Sequence, residues 1–112
     1  MAQDDMFVVM YKILAYLYDC MKRGIEPKRS MLAHDGGMLN INESYWARIM
    51  KELVDHGYLE GVVVDGTWQG NLIVNIVQPI VTMEGVEFLQ ENSRMQKALK
   101  YLKEAKSALP FI

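Results

Sequence analysis

A capped amphipathic stretch over residues 42–56 that stops at a glycine, a valine-rich pair of strand segments straight after it, and a long apolar helical stretch before it together predict the fold class. It is α+β and mainly α: a winged helix-turn-helix domain with a small antiparallel β-wing and C-terminal helices. At 112 residues, 51% hydrophobic and 23% charged, the chain suits one domain over 1–112 with a core of its own.

The central helix is the best specified element. Asn42 is a good N-cap, Glu43 puts negative charge on the first turn, and Ile41 and Trp46 fall at the two positions of a hydrophobic staple. Trp46, Ile49, Met50, Leu53 and Val54 recur at helical spacing and define a buried face, leaving Ser44, Tyr45, Arg48, Lys51, Glu52 and Asp55 outside. Gly57 then suits the left-handed position that ends a helix.

Before it, Asp4 and Asp5 cap a helix from about Met6 to Arg23, ended by Gly24. Met6, Met10, Ile13, Leu14, Leu17 and Met21 mark its main apolar stripe, widened by Phe7, Tyr11 and Tyr18, so burial on two sides is expected. Ile25-Glu26-Pro27 would supply a short first strand, and Ser30 would cap a brief helix through Ala33. His34-Asp35-Gly36-Gly37 makes a turn, after which Met38, Leu39 and Ile41 return to the core.

Downstream, Leu59–Val64 and Asn71–Val77 read as the two strands of the wing, with the turn between them at 65–70 and Pro79 as the stop. Their many valines and isoleucines cannot all face inward with a period of two, so some must be exposed or covered. Thr82 caps a short helix through Met83, Val86 and Leu89 that Asn92 closes, and Ser93 with Gln96 forms a capping box for the last helix. In that helix Met95, Leu99, Leu102, Ala105 and Leu109 line one side.

Net charge is −2, which gives no general attraction to nucleic acid or to acidic membranes. Its distribution is uneven: residues 1–91 hold 7 basic and 13 acidic side chains, residues 92–112 hold 5 and 1. The apolar run of the first helix, broken by Lys12 and Asp19, is too short to span a bilayer, and no signal peptide precedes it, so a cytoplasmic protein without membrane contact is expected. A lone Cys20 and two histidines, His34 and His56, offer no metal-ligand spacing, and neither a catalytic dyad nor a phosphate loop is present. No enzyme activity, metal or cofactor is therefore expected.

Two function classes remain. As a double-stranded DNA binder, the chain would present Ser44, Tyr45, Arg48 and Lys51 of the central helix to the major groove. Arg23, Lys28 and Arg29 would hold flanking phosphates, and the wing tip would bring Thr67, Trp68, Gln69 and Asn71 to the adjacent groove or backbone. Glu43, Glu52 and Asp55 on the same helix face, and a wing with no basic residue, count against this. As a protein-interaction module, the chain would use the apolar hairpin, Trp68 and the tail Ala108-Leu109-Pro110-Phe111-Ile112. The simpler alternative is that Trp68 and the tail fold back over the core. A homodimer through the first and last helices is compatible with either class.

Three segments carry a resemblance: HGYLEGV at 56–62, QPIVTMEGVEFLQEN at 78–92 with its Thr82-x-x-Gly85 helix start, and ALKYLKEAK at 98–106. With the order of elements around them, the chain resembles the YjcQ-like family of small bacterial and phage proteins. The resemblance implies a winged-helix architecture and a bacterial or prophage setting, with no activity to transfer. The expectation is a bacterial or phage transcriptional regulator that binds DNA, or alternatively a winged-helix interaction module that does not.

Overall fold

The computed structural model describes residues 1–107, Leu109 and Phe111; Ala108, Pro110 and Ile112 of the apolar tail lie outside the described residues. The order is α1 (Met6–Arg23), α2 (Arg29–Leu32), α3 (Glu43–Asp55), β1 (Leu59–Gly66), β2 (Leu72–Val81), α4 (Met83–Glu91) and α5 (Ser93–Glu104). The chain is thus α+β and about half helical, with one two-stranded antiparallel sheet.

α1 is the core of the molecule. Every residue from Val8 to Leu17 is buried, so the helix is covered on all sides rather than two. Asp5 caps it by accepting the Phe7 N–H at 2.9 Å, and Gly24 ends it at φ +66°. Met21, expected on the stripe, is exposed beyond the last covering element. Met95, Ala98 and Leu102 of α5 are buried in the same core, whereas Ala105 is exposed. Of the tail residues, Phe111 packs on Tyr16 with ring centroids 5.8 Å apart.

The segment after α1 departs from expectation. Residues 25–27 form no strand, because the Ile25 N–H is already taken by the Cys20 carbonyl at 3.1 Å and Pro27 has none to give. One end of the segment is instead tied to the hairpin by Arg29, whose Nη2 donates to the Val77 carbonyl at 3.3 Å. Ser30 is inside α2, whose N-cap is Lys28 without a side-chain bond. The 33–42 connection is fixed by Gly37 N–H to Ser30 O, Ile41 N–H to His34 O, and Trp46 Nε1 to Leu32 O at 2.8 Å.

α3 has the expected ends. The Asn42 side chain accepts the Ser44 and Tyr45 N–H groups, and Gly57 sits at φ +74°. Its buried face is Trp46, Ala47, Ile49, Met50 and Leu53.

The hairpin is longer than expected. β2 continues through Pro79 to Val81, because a bulge removes the need for a donor there: Glu60 pairs with Ile80 and Val62 with Ile76, leaving Gly61 alone opposite residues 77–79. Val62, Val64, Leu72, Val74 and Ile76 face the core, while Val63, Ile73, Val77 and Ile80 stay exposed on the other side. At the base, the Thr82 Oγ1 accepts the Gly85 N–H and donates to the Gly57 carbonyl at 2.6 Å, and the Thr82 N–H donates to the Tyr58 carbonyl. The start of α4 is thereby tied to the α3–β1 turn. Met83, the first residue of α4, is exposed. α5 is capped by Asn92, which accepts from Arg94 and Met95; Ser93 forms no box, since the Gln96 amide reaches the Leu89 and Gln90 carbonyls instead.

Candidate nucleic-acid interface

The first two turns of α3 and the tip of the hairpin enclose an open groove of about 720 Å³ lined by Asn42, Glu43, Ser44, Ala47, Arg48, Gly70, Asn71 and Leu72. The sheet register puts the tip here, because Leu72 is the last paired residue of β2 at the turn end. The turn itself is closed by Thr67, whose N–H donates to the Asn71 carbonyl at 2.7 Å and whose Oγ1 accepts the Asn71 N–H at 3.1 Å, with Gly70 at φ +81°. Trp68 and Gln69 project from it into solvent, and Trp68 is fully exposed rather than folded over the core.

Of the residues singled out in the sequence, Ser44, Arg48 and Asn71 meet in this groove. Tyr45 does not: its hydroxyl donates to the Asp4 carbonyl at 2.7 Å, and burial first, then the Asp5 and Asp4 carboxylates, push its phenol pKa up. It is a neutral strut between α3 and the start of α1. Arg48 reaches Glu52 at 3.2 Å and Lys51 reaches Asp55 at 2.8 Å, each one turn along the same helix. Such exposed pairs are worth about 0.3–0.5 kcal/mol, so a phosphate or a base edge would readily displace the carboxylate.

The second basic group lies elsewhere. Arg29 is bound at Val77, roughly 17 Å along β2 from Leu72 at the usual strand rise. Arg23 pairs with Asp19 at 3.2 Å on the outside of α1. Lys28 is exposed, and its backbone N–H donates to the Tyr16 hydroxyl at 2.8 Å. None of the three lines the α3 groove, and Arg29 lies toward the opposite end of the hairpin.

Sequence reading missed one group altogether. Lys12 sits in the middle of α1 with only 8% of its surface exposed. The signal was present, because Lys12 lies in a run whose apolar residues occupy every face of the helix, leaving a charge no polar side to occupy. Among the described residues no group of three or more His, Cys, Asp or Glu side chains could hold a metal ion, and no helix is long and apolar enough to cross a membrane.

Comparison with curated proteins and with solved structures returns no match. Comparison with family models returns one, the YjcQ protein family, over residues 11–108, which takes in α2, α3, the hairpin, α4, α5 and all but the first turn and a half of α1. The chain belongs to the YjcQ family.

Proposed function

We propose that this protein is a winged helix-turn-helix DNA-binding protein, a bacterial or phage transcriptional regulator, with α3 as recognition helix and the β1–β2 hairpin as wing. The observation that carries the proposal is the groove shared by the N-terminal turns of α3 and the hairpin tip, since a winged helix reads DNA with those two parts. In this reading Ser44 and Arg48 reach base edges, Lys51 holds a phosphate farther along α3, and Trp68, Gln69 and Asn71 follow the backbone beside the helix. Arg23, Lys28 and Arg29 hold flanking phosphates, Arg29 from the far end of the hairpin.

The test is an NMR titration of labelled protein with mixed-sequence duplex DNA at low and moderate salt. Expected are shifts at Ser44, Arg48, Lys51 and the tip that weaken as salt rises. With a selected operator, Arg48→Ala should cost about 1–3 kcal/mol and relax base preference, whereas Arg23→Ala should weaken binding to all sequences alike. Unchanged duplex affinity in Arg48→Ala would remove α3 as the reading element.

One observation favours a second reading, an interaction module that does not bind DNA. Val63, Ile73, Val77 and Ile80 on the outer hairpin face, with Ile25 beside it and Trp68 at the tip, are exposed, and the wing carries no basic residue. A spectrum unmoved by duplex DNA at low salt would transfer the assignment to this face. A homodimer through the terminal helices would have to use the outer side of α5 and the exposed C-terminal end of α1, because Val8–Leu17 of α1 are already buried in the chain's own core.

A further inference from the structure

A lysine that folding removes from water needs compensation, because an ammonium without a counter-charge in an apolar setting is among the costliest groups to bury. Lys12 is such a group. It is 8% exposed, and among the described residues no carboxylate oxygen comes within 4.0 Å of its Nζ. Its one hydrogen bond goes to the Met38 carbonyl at 3.4 Å, longer than the usual N–H···O range, although the ammonium has three donors to place. Burial also lowers its pKa from the ordinary lysine value.

The ammonium is not sealed in protein. Lys12 lines an open cavity of about 410 Å³ between α1 and the loop that leads into α3, with Asp4, Val9, Gly37, Met38 and Asn40 among the walls. The loop is held in place around it by the Gly36 N–H to Ala33 O, Gly37 N–H to Ser30 O and Ile41 N–H to His34 O bonds. A side chain at Gly36 would run into the Ser30 carbonyl, so this close approach of two backbone segments requires glycine. The N–H groups of Met38 and Asn40, residues of the cavity wall, donate to no acceptor among the described residues, whereas the Leu39 N–H, trans to the carbonyl that faces Lys12, points away from the ammonium.

We propose that this cavity binds a small oxyanion, the carboxylate or phosphate group of a low-molecular-weight ligand, with the Lys12 ammonium as its counter-charge. A cation with unspent donors at the wall of an open cavity, against a loop fixed by its own hydrogen bonds, is what an oxyanion needs and what an uncharged surface dent lacks. Asp4, exposed at the mouth, disfavours a second negative charge on the ligand and so favours a monoanion. The site is independent of the DNA-binding reading, since it faces the start of α1 and uses none of the groove residues, its Ile41 only adjoining Asn42 in sequence.

The experiment follows the Lys12 ε-CH₂ and the backbone amides of the full chain by NMR during separate titrations with sodium acetate and sodium phosphate, against sodium chloride at matched ionic strength. Saturable shifts at Lys12 and Met38–Asn40 with acetate, phosphate or both, absent in chloride and weakened roughly tenfold or more in Lys12→Met, are the expected result, and the two arms tell which oxyanion fits. Shifts that never saturate, that appear equally in chloride, or that persist in Lys12→Met overturn the proposal. Because the wild-type Lys12 signal is itself a direct reporter, the test stands even where the variant fails to fold.

Discussion

The two ends of the β1–β2 hairpin are built on opposite terms. At the base, Gly61, Thr82 and Gly85 each answer to a neighbouring backbone group, the Gln78, Gly57 and Tyr58 carbonyls respectively, and the bulge admits Pro79. At the tip, Gly66 and Gly70 have nothing within 4 Å of where a side chain would start, and Trp68 and Gln69 touch solvent. The base spends its residues on holding the strands to α3 and α4. Among the described residues the tip is closed by hydrogen bonds of its own Thr67–Asn71 turn, which leaves the Trp68 and Gln69 side chains free for a partner.

The sharpest way to break this contrast is at Gly61. Its φ is +75°, and a Cβ there would sit 1.7 Å from the Gln78 carbonyl oxygen and 2.5 Å from its carbon, against backbone on both counts. Gly61→Val should therefore cost at least about 3 kcal/mol, the left-handed strain adding to a clash that only an opened bulge could relieve. Gly66→Ala in the same strand should change stability by less than about 0.5 kcal/mol. Urea denaturation of the pair decides it, and equal losses would mean that base and tip are equally constrained.

A smaller loss is expected at Gly85. In an isolated helix, alanine here would gain about 1 kcal/mol over glycine. The Cβ would instead meet the Tyr58 carbonyl at 2.3 Å and the Val81 Cγ2 at 2.9 Å, levering α4 off the turn that the Thr82 N–H clasps. Gly85→Ala should accordingly lower stability by about 1–2 kcal/mol in the same denaturation assay. A gain would show that helix propensity outweighs the contact.

These positions also separate what the sequence discloses from what it conceals. Asn42, Gly57, Asp5, Gly24 and the Thr82 cap were legible because each acts on residues within a turn or so of itself. Ser30 and Ser93 failed locally too, because Lys28 and Asn92 take the capping position ahead of them. The bulge was illegible, since whether Pro79 stops a strand depends on what Gly61 pairs with across the sheet. The candidate interface divides the same way. Exposure of Ser44 and Arg48 follows from the α3 periodicity, but that Asn71 joins them, that Tyr45 turns to Asp4 and that Arg29 lies at the far end of β2 are facts of long-range packing. Burial of Lys12 belongs to the same class, because it requires α1 to be enclosed on all sides.

The smallest effect on folding, and the one that sharpens the comparison most, is expected at Trp68. Tryptophan is the largest side chain and among the costliest to leave in water, so a fold under selection for stability alone has little use for one that buries nothing. Its side chain is fully exposed at the tip, and no aromatic or hydrogen-bond partner engages it among the described residues. Trp68→Ala should therefore leave stability within about 0.5 kcal/mol of wild type while weakening binding of duplex DNA or of a protein partner. Denaturation and a binding titration on the same preparation separate the two effects. A stability loss above about 1 kcal/mol would mean that the tip, like the base, is spent on the fold, and the residue would then leave the candidate interface.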